Sequence, residues 1–509
     1  MTNAFSLFRS LVIYSICLPL AIVVGYLLAT PFDMASYVPI CAVLVLLSIP
    51  IFLRWHYPIL IVSWNMAAGL YFLPGKPSVQ LIMIFLSFGF SFLAFILNRN
   101  LKFISVPSMT RPLIFLAVVV LATARLTGGF GLNILGSDAI GGKRYIFLLS
   151  GVVGYFALTS RRIPPDKVNL YLKLFFLGTL TSLVGILFTF ISPSLYFIFL
   201  IFPVETSLAQ TAGPDGSNPI VRLSGVGIAS LSIIWLMLGR YSLRGLLESR
   251  KFGRLLLVVI LAGTTLFGGS RAKFIEVVLM FTILFYLEGM VRSRMLPLLL
   301  LSGLLVAAVV FPFTDKLPSA VQRSLAVLPL VKIDPETERN ARDSSEWRLQ
   351  MWADVIPTIP NYLILGKGLS LDPRELEMLR GGLNAGGSGS EGSNMAGDYH
   401  NGPLSVIIQF GIPGVIGFIW FLVAGFRVLQ RNYHFGDPSM LLINRMLFAY
   451  FIVKCIIFFL VFGSFYSDLV YFVGPVGLSI ALNGGVCSRV IEPVSVPILN
   501  RFKLANATR

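Results

Sequence analysis

The chain contains three histidines, and His400 is placed where acid–base chemistry could occur. It stands in a polar run from Asp398 to Pro403, at the start of an apolar helix. Asp398 or Asn401 can cap that helix, and Pro403 suits its first turn. The positive end of a helix dipole favours the neutral imidazole, which acts as a base near neutral pH. The position therefore predicts either a general base or an interfacial histidine that only ends a loop.

Arginines form a second group of residues that could take part in binding or catalysis. Arg222 directly precedes one apolar helix, Arg271 starts another after a Gly-Gly-Ser turn, and Arg348 lies in a long polar segment. A guanidinium is always charged and binds two phosphate oxygens at once, and the free N–H groups of a helix start also favour phosphate. The alternative is anchoring to lipid headgroups. We expect some of the cations on the outer face to bind an anion, and a guanidinium suits a pyrophosphate; these cations are Lys76, Arg125, Lys143, Arg144, Arg222, Arg271 and Arg348.

Lys454 is a charged residue about midway along an apolar run. A charge at that depth is costly and often functional. The interpretation that we favour is an ion pair with Glu276 or Asp468.

Several kinds of site have no signal in the sequence. No Cys/His group has the spacing of zinc ligands, and no paired carboxylates precede residue 313 on the outer face. No GxxxxGK[ST] loop is present, which argues against an ATP-driven pump. We therefore expect neither a metal nor a cofactor.

Composition identifies the elements that must position these residues. Of 509 residues, 56% are hydrophobic and 12% are charged, whereas soluble domains carry roughly a quarter charged residues. Apolar runs of about 20 residues predict membrane-spanning helices, and their continuity excludes an outer-membrane barrel. The prediction is an all-α polytopic membrane protein with 12–14 spans.

The net charge of +17 follows the membrane topology and does not indicate nucleic-acid binding. Residues 313–401 hold 9 basic and 12 acidic residues, and the rest of the chain holds 31 basic and 11 acidic ones. The basic excess lies in alternate short loops, as the positive-inside rule requires. Both termini are therefore expected in the cytoplasm, and the 313–401 segment on the opposite face.

The chain divides into four predicted parts. Residues 1–312 form about 11 spans, 313–401 the large outer loop, 402–485 about three spans, and 486–509 a cytoplasmic tail. Separate spans over 38–53 and 57–73 place His56 in a solvated cytoplasmic turn, where we also expect His434. A single span is expected over 402–426. Within the loop, helices are expected over 344–356 and 373–380, followed by a Gly/Ser/Asn-rich stretch over 381–397.

Several motifs resemble those of the bacterial O-antigen ligase/polymerase superfamily. His400–Leu404 followed by Phe410–Gly414 is similar to its His-Asn-x-x-Leu and Gly-hydrophobic-x-Gly signatures at the end of a long periplasmic loop. Further similar stretches are Trp347–Trp352 with Leu365–Gly368, Gly269–Ala272 and Arg222–Gly225. Together these stretches cover roughly residues 220–430, in the order found in the family.

The resemblance implies a GT-C-like membrane glycosyltransferase of the bacterial inner membrane, acting at the periplasmic face without metal. The donor would be a glycan on undecaprenyl pyrophosphate, and the acceptor lipid A–core or another lipid-linked glycan. His400 would be the base, with Asp398 and Asn401 supporting it, and Arg222, Arg271 and Arg348 would bind the pyrophosphate. Membrane lipid and, for a polymerase, a chain-length regulator are the implied partners.

The sequence leaves alternatives open. Within this chemistry the protein could be a ligase, a polymerase or a protein glycosylase, and nothing indicates a peptide-binding groove. A lipid-linked oligosaccharide flippase suits the many helices and Lys454, but not the acidic outer loop or the lack of repeats. A membrane scaffold without chemistry would depend on neither Lys454 nor His400.

Overall fold

The structure is a computed structural model that describes residues 34–73, 75–98, 102–128, 141–204, 220–247, 252–329, 331–370 and 398–488, with scattered residues between 14 and 25. Regular structure in these residues is helical, apart from a backbone bridge between Gly69 and Ser78. The α-helices are α1 (Met34–Ser63), α2 (Val79–Leu97), α3 (Pro107–Leu126), α4 (Gly142–Leu158), α5 (Val168–Leu177), α6 (Ser182–Ile191), α7 (Ser224–Tyr241), α8 (Leu243–Leu247), α9 (Phe252–Thr265), α10 (Arg271–Leu287), α11 (Met295–Val310), α12 (Ser319–Leu325), α13 (Pro335–Val355), α14 (Ile359–Tyr362), α15 (Gly402–Phe435), α16 (Leu441–Leu460) and α17 (Phe465–Asn483).

Eight helical segments among the described residues are long and apolar enough to cross a membrane. They are Val79–Leu97, Pro107–Leu126, Pro165–Ile191, Ser224–Tyr241, Met295–Lys316, Gly402–Phe435, Pro438–Leu460 and Phe465–Asn483. The all-α polytopic membrane architecture is confirmed. The fourfold division of the chain at residues 312, 401 and 485 stays a prediction.

The helices pack closely through small residues at their crossings. Gly154 of α4 and Gly474 of α17 both lie against the buried ring of Trp64, which follows α1. A Cβ atom at Gly474 would stand 2.4 Å from the indole Nε1 of Trp64. Small residues let membrane helices approach closely, which replaces the hydrophobic driving force that lipid cannot supply.

His56 does not lie in a solvated turn. The two spans expected over 38–53 and 57–73 are replaced by the continuous helix α1, and His56 is only 2% exposed within it. Its Nδ1 is 2.9 Å from the Ser87 hydroxyl, and its Nε2 is 2.7 Å from a guanidinium nitrogen of Arg161. The prediction was wrong because these two partners, distant in sequence, satisfy the polar ring inside the protein. His434 is exposed, in the last turn of α15.

The span expected over 402–426 lies within α15, but α15 is interrupted at Gly411. Gly411 has φ 62° and ψ −162°, so two helical pieces meet there at a kink. This backbone conformation favours glycine, because a side chain would clash with its own backbone. The break frees carbonyl groups of the first piece for bonds to another segment.

The described part of the 313–401 segment consists of the short helices α12 and α14 and the longer α13. The helix expected over 344–356 is the second half of α13. Asp334 caps α13 by accepting hydrogen bonds from the backbone N–H groups of Glu336 and Thr337. The predicted helix at 373–380 and the stretch 381–397 lie outside the described residues.

Candidate active site

A cavity of about 760 Å³ lies between the helices α7, α10, α16 and α17 and the helix α13 of the 313–401 segment. Arg271, Arg323 and Arg348 are among its lining residues. Apolar and aromatic side chains form much of the remaining wall, among them Ile228, Leu231, Trp235, Phe458, Phe462 and Phe472. The cavity therefore combines a cluster of cations with an apolar wall.

Arg222 and Arg271 meet at the turn between α9 and α10. Gly269 has φ 62°, and a Cβ atom there would stand 2.8 Å from Cγ of Arg222. The backbone N–H of Leu223 also donates to the carbonyl of Phe267 at 2.9 Å. The Arg222 side chain thus crosses the glycine turn that starts α10 at Arg271. The two motifs found in the sequence pack against each other here.

Arg323 joins this group, although sequence reasoning missed it. It is 6% exposed in α12, and its Nε donates to Oδ1 of Asn340 at 2.9 Å. The same Asn340 oxygen accepts from Arg222 at 3.3 Å, and Arg323 also donates to the backbone carbonyl of Gly269. Burial, followed by the charges of Arg222, Arg271 and Arg348, lowers the pKa of Arg323 to about 9. Arg323 remains charged at neutral pH, in a strongly positive environment.

Arg348 connects the arginines with the polar run before α15. Burial, then the positive charges of Arg271 and Arg222, lower the pKa of Arg348, while Asp398 opposes this shift. Its Nε is buried without a hydrogen-bond partner among the described residues. Four guanidinium groups therefore converge within electrostatic reach of one another. Such a cluster is suited to an anion with several negative charges.

His400 lies between two aromatic rings at the start of α15. The centroid of its imidazole is 5.2 Å from that of Trp347 and 5.1 Å from that of Phe462, and Phe462 lines the cavity. Nδ1 of His400 is 3.7 Å from Oδ1 of Asp398. The backbone of His400 has φ 48°, which is uncommon for a residue with a side chain and is found often at functional sites.

Asn401, and not Asp398, caps α15. Oδ1 of Asn401 accepts a hydrogen bond from the backbone N–H of Leu404 at 3.1 Å, whereas Asp398 accepts from the N–H of His400 at 3.4 Å. The two supporting residues thus have different tasks: Asn401 starts the helix, and Asp398 faces the histidine.

Burial lowers the pKa of His400 below its ordinary value of 6.5. Asp398 acts in the opposite direction, and the positive charge of Arg348 adds to the lowering. The imidazole is therefore neutral at neutral pH and able to accept a proton.

A small apolar cluster fixes His400 relative to α13. Met351 and Val355 of α13 pack with Tyr399, Leu404 and Ile408 around the start of α15. The indole N–H of Trp352 donates to the backbone carbonyl of Tyr399 at 2.8 Å. Because Arg348 lies on the same helix as these anchors, the position of the arginine relative to the histidine is set by packing.

The interrupted helix α15 is held by the glycine motif at residues 366–368. The N–H groups of Lys367 and Gly368 donate to the carbonyls of Ile408 and Gln409, at 2.7 and 3.0 Å. The N–H of Ile412 donates to the carbonyl of Leu363 at 2.7 Å. The backbone groups freed by the kink are satisfied in this way, as buried polar groups require.

A comparison with known protein families finds a match over part of the chain. Residues 256–419 match the family model described as O-antigen ligase. This part of the chain is therefore similar to O-antigen ligases. No curated protein matches the chain.

The matched residues contain most of the site. The match includes Arg271, Arg323, Arg348 and His400, and it ends within α15 beyond the kink at Gly411. Arg222 and Lys454 lie outside the matched residues but contact its elements. The resemblance inferred from the sequence is confirmed for these residues, and the matching family supports a glycosyltransferase-type enzyme at the level of the family only.

Lys454 is paired, as the favoured interpretation of the sequence predicted. Its Nζ is 2.7 Å from Oε1 of Glu276, and Oε2 of Glu276 is 2.9 Å from Nζ of Lys273. All three residues line the cavity. Of the other cations expected on the outer face, Arg144 lies over the ring of Tyr466 at 5.4 Å, away from the cavity lining.

The residues that the structure describes contain no group of three His, Cys, Asp or Glu side chains arranged to hold a metal ion. The charged groups at the cavity are five cations, the carboxylate of Glu276, which pairs with two of them, and Asp468, which accepts a hydrogen bond from the backbone N–H of Ser464. The chemistry available from these side chains is anion binding and proton transfer.

Proposed function

We propose that this protein transfers a glycan from undecaprenyl pyrophosphate to a sugar hydroxyl at the periplasmic face of the bacterial inner membrane, without a metal ion. The observation that carries the proposal is a cluster of four arginines, one of which, Arg348, is within electrostatic reach of His400. The cluster lies beside a cavity that has an apolar wall and is formed among the helices. A polyprenyl pyrophosphate has the matching parts: an apolar tail, a multiply charged headgroup and a reacting sugar.

The arginines would hold the pyrophosphate and stabilise the charge that develops as it leaves. Arg222, Arg271 and Arg348 are joined in this task by Arg323, and the helix start at Arg271 adds free backbone N–H groups. Donors aimed at a developing charge in a site shielded from water are usually a large part of catalysis. Pyrophosphate leaves readily, so no group needs to protonate it.

His400 would act as the general base. Its Nδ1 faces Asp398, which leaves Nε2 for the hydroxyl of the acceptor. The acceptor oxygen bonds to the anomeric carbon, the bond from that carbon to the phosphate oxygen breaks, and the electron pair stays on the phosphate. The hydroxyl proton passes to Nε2 of His400.

The proposal places both termini in the cytoplasm and residues 313–401 in the periplasm. It rests on the basic excess of the alternate short loops and on the acidic excess of the 313–401 segment. The acceptor would be lipid A–core for a ligase or a second lipid-linked glycan for a polymerase, with a chain-length regulator as a further partner in the latter case.

A transfer assay with purified protein in detergent tests the proposal. It uses an undecaprenyl-pyrophosphate glycan, EDTA, and either lipid A–core or excess donor as the acceptor. Wild type should release undecaprenyl pyrophosphate, and His400→Ala should not. His434→Ala is the matched control, since His434 is exposed and remote from the cavity lining.

The size of the product separates a ligase from a polymerase. Full activity of His400→Ala would contradict the role of the base. Absence of transfer by wild type, together with transport of the lipid-linked glycan that depends on Lys454 and not on His400, would favour the flippase.

A further inference from the structure

The cavity lining contains a second group of charges, formed by Lys273, Glu276 and Lys454. The carboxylate of Glu276 bridges the two ammonium groups, at 2.9 Å from Lys273 and 2.7 Å from Lys454. The Glu276 side chain is 3% exposed, whereas those of Lys273 and Lys454 are 27% and 25% exposed. The carboxylate is therefore enclosed, and both lysines present part of their surface to the cavity.

Two members of this group, Lys273 and Glu276, lie on α10 together with Arg271. Glu276 follows Arg271 by five residues in α10, which corresponds to about 7.5 Å along the helix axis. An ion triad inside a membrane protein costs desolvation energy that its own attraction repays only in part. A purely structural pair would not need two lysines that face a cavity already lined by three arginines.

The charged side chains that line the cavity have a net positive charge. Among the described residues they are five cations (Arg271, Lys273, Arg323, Arg348, Lys454) and two carboxylates (Glu276, Asp468), which gives +3 when all are ionised. The glycosyl pyrophosphate donor is a diester with two negative charges. When the glycosidic bond breaks, the electron pair left on the terminal phosphate adds a third, which is largely ionised above pH 7.

We propose that Lys454, assisted by Lys273, binds this third charge, so that the cavity holds the polyprenyl pyrophosphate product more tightly than the donor. The inference rests on the proposed function and names which charge state of the substrate the site favours. Glu276 limits the preference, because its carboxylate competes with the phosphate for both lysines. An interaction that grows as the bond breaks stabilises the transition state and also slows release of the product.

Two probes with the same tail isolate this third charge. Farnesyl pyrophosphate carries three negative charges at pH 8, and its P2-methyl ester carries two. Their dissociation constants would be measured by calorimetry on the full-length protein in detergent. Wild type should favour farnesyl pyrophosphate by roughly tenfold or more, the usual size of one charge-assisted hydrogen bond.

Replacing Lys454 and replacing Glu276 should change the preference for farnesyl pyrophosphate over its methyl ester in opposite directions. Lys454→Met removes the cation and leaves Glu276 paired with Lys273, so the fold should persist while the preference falls towards unity. Glu276→Gln removes the competing charge at nearly constant size, so the preference should increase. Arg445→Met is the control: Arg445 also belongs to α16 and pairs with a buried carboxylate, Glu288, at 3.1 Å, but it does not line the cavity.

A structural ion pair predicts a different pattern. Lys454→Met and Glu276→Gln would then both lower the melting temperature, as Arg445→Met does, and the ratio of the two dissociation constants would remain that of wild type. That result would overturn the inference, as would a preference that falls in both variants. Glycan transfer that depends on His400 would still support the proposed function in that case. Binding that discriminates between the probes without any transfer would support the charge preference alone.

Discussion

The side chain of Arg323 donates a hydrogen bond to the backbone carbonyl of Gly269, which joins the 313–401 segment to the turn before α10. Since Arg222 crosses the same glycine and shares Asn340 with Arg323, two arginines from distant parts of the chain are fixed by one turn. The cationic cluster is therefore assembled by tertiary contacts between the membrane helices and the loop.

Replacing Arg222 or Arg271 by lysine should lower transfer by about a hundredfold, because lysine keeps the charge but loses the planar pair of donors. The rate of release of undecaprenyl pyrophosphate at saturating acceptor measures the loss. Arg342→Lys should be neutral, since Arg342 is exposed and pairs with Glu338 on the surface of α13. Rates close to wild type in both variants would remove the argument for a bidentate contact.

Arg323→Lys should reduce both stability and activity, because the shorter lysine cannot reach Asn340 and Gly269 together. We expect a melting temperature lower by several degrees, consistent with the loss of buried hydrogen bonds of a charged group. Arg348→Lys should lower activity with little change in melting temperature, since the Nε of Arg348 has no hydrogen-bond partner among the described residues. Equal melting temperatures for the two variants would contradict this distinction.

The pH dependence of transfer should report on His400. The base must be neutral, so kcat/KM should fall as the pH drops through the pKa of His400, which burial holds below 6.5. Asp398 raises this pKa, so Asp398→Asn should lower it further and move the acidic limb to lower pH. A profile from pH 5 to 8 for wild type and the variant measures the shift. A limb displaced to higher pH would show that another group controls the acidic side.

Gly411→Ala should destabilise the contact between α15 and the glycine motif. A Cβ atom at Gly411 would stand 2.6 Å from the carbonyl oxygen of Leu363, at a positive φ that costs about 1–3 kcal/mol for a side chain. A thermal melt in detergent should show a clear decrease. Gly263→Ala is the matched control, because a Cβ atom there meets nothing within 4 Å in α9. An unchanged melting temperature for Gly411→Ala would mean that the contact between α15 and the glycine motif does not require glycine at this position.

The sequence was sufficient where the signal is local. The polar run around His400 predicted a helix start, and Asn401 provides the cap. The Gly-Gly-Ser turn before Arg271 predicted a helix N-terminus, which the structure contains. Apolar runs of suitable length predicted the membrane helices, because twenty apolar residues have few other stable environments.

The sequence alone did not identify residues whose surroundings depend on contacts with distant parts of the chain. Arg323 lies in a short helix of mixed composition, between Gln322 and Ser324, and nothing in that local pattern indicated its role. Asn340, which holds it, gave no signal of its own. His56 was placed in a turn because separate spans were expected over 38–53 and 57–73, yet Ser87 and Arg161 make its burial favourable. Such partners become visible only when the helices are packed.

The backbone N–H groups of residues 367–368 are hydrogen-bonded to the carbonyls of residues 408–409, which holds the chain just before residue 370 against α15. Leu369 is anchored before the segment by its N–H bond to the hydroxyl of Tyr145, and Tyr399 after it by the bond from Trp352. The chain is thus held on both sides of this segment by contacts to α4 and α13, and the contact from α13 reaches the residue directly before His400.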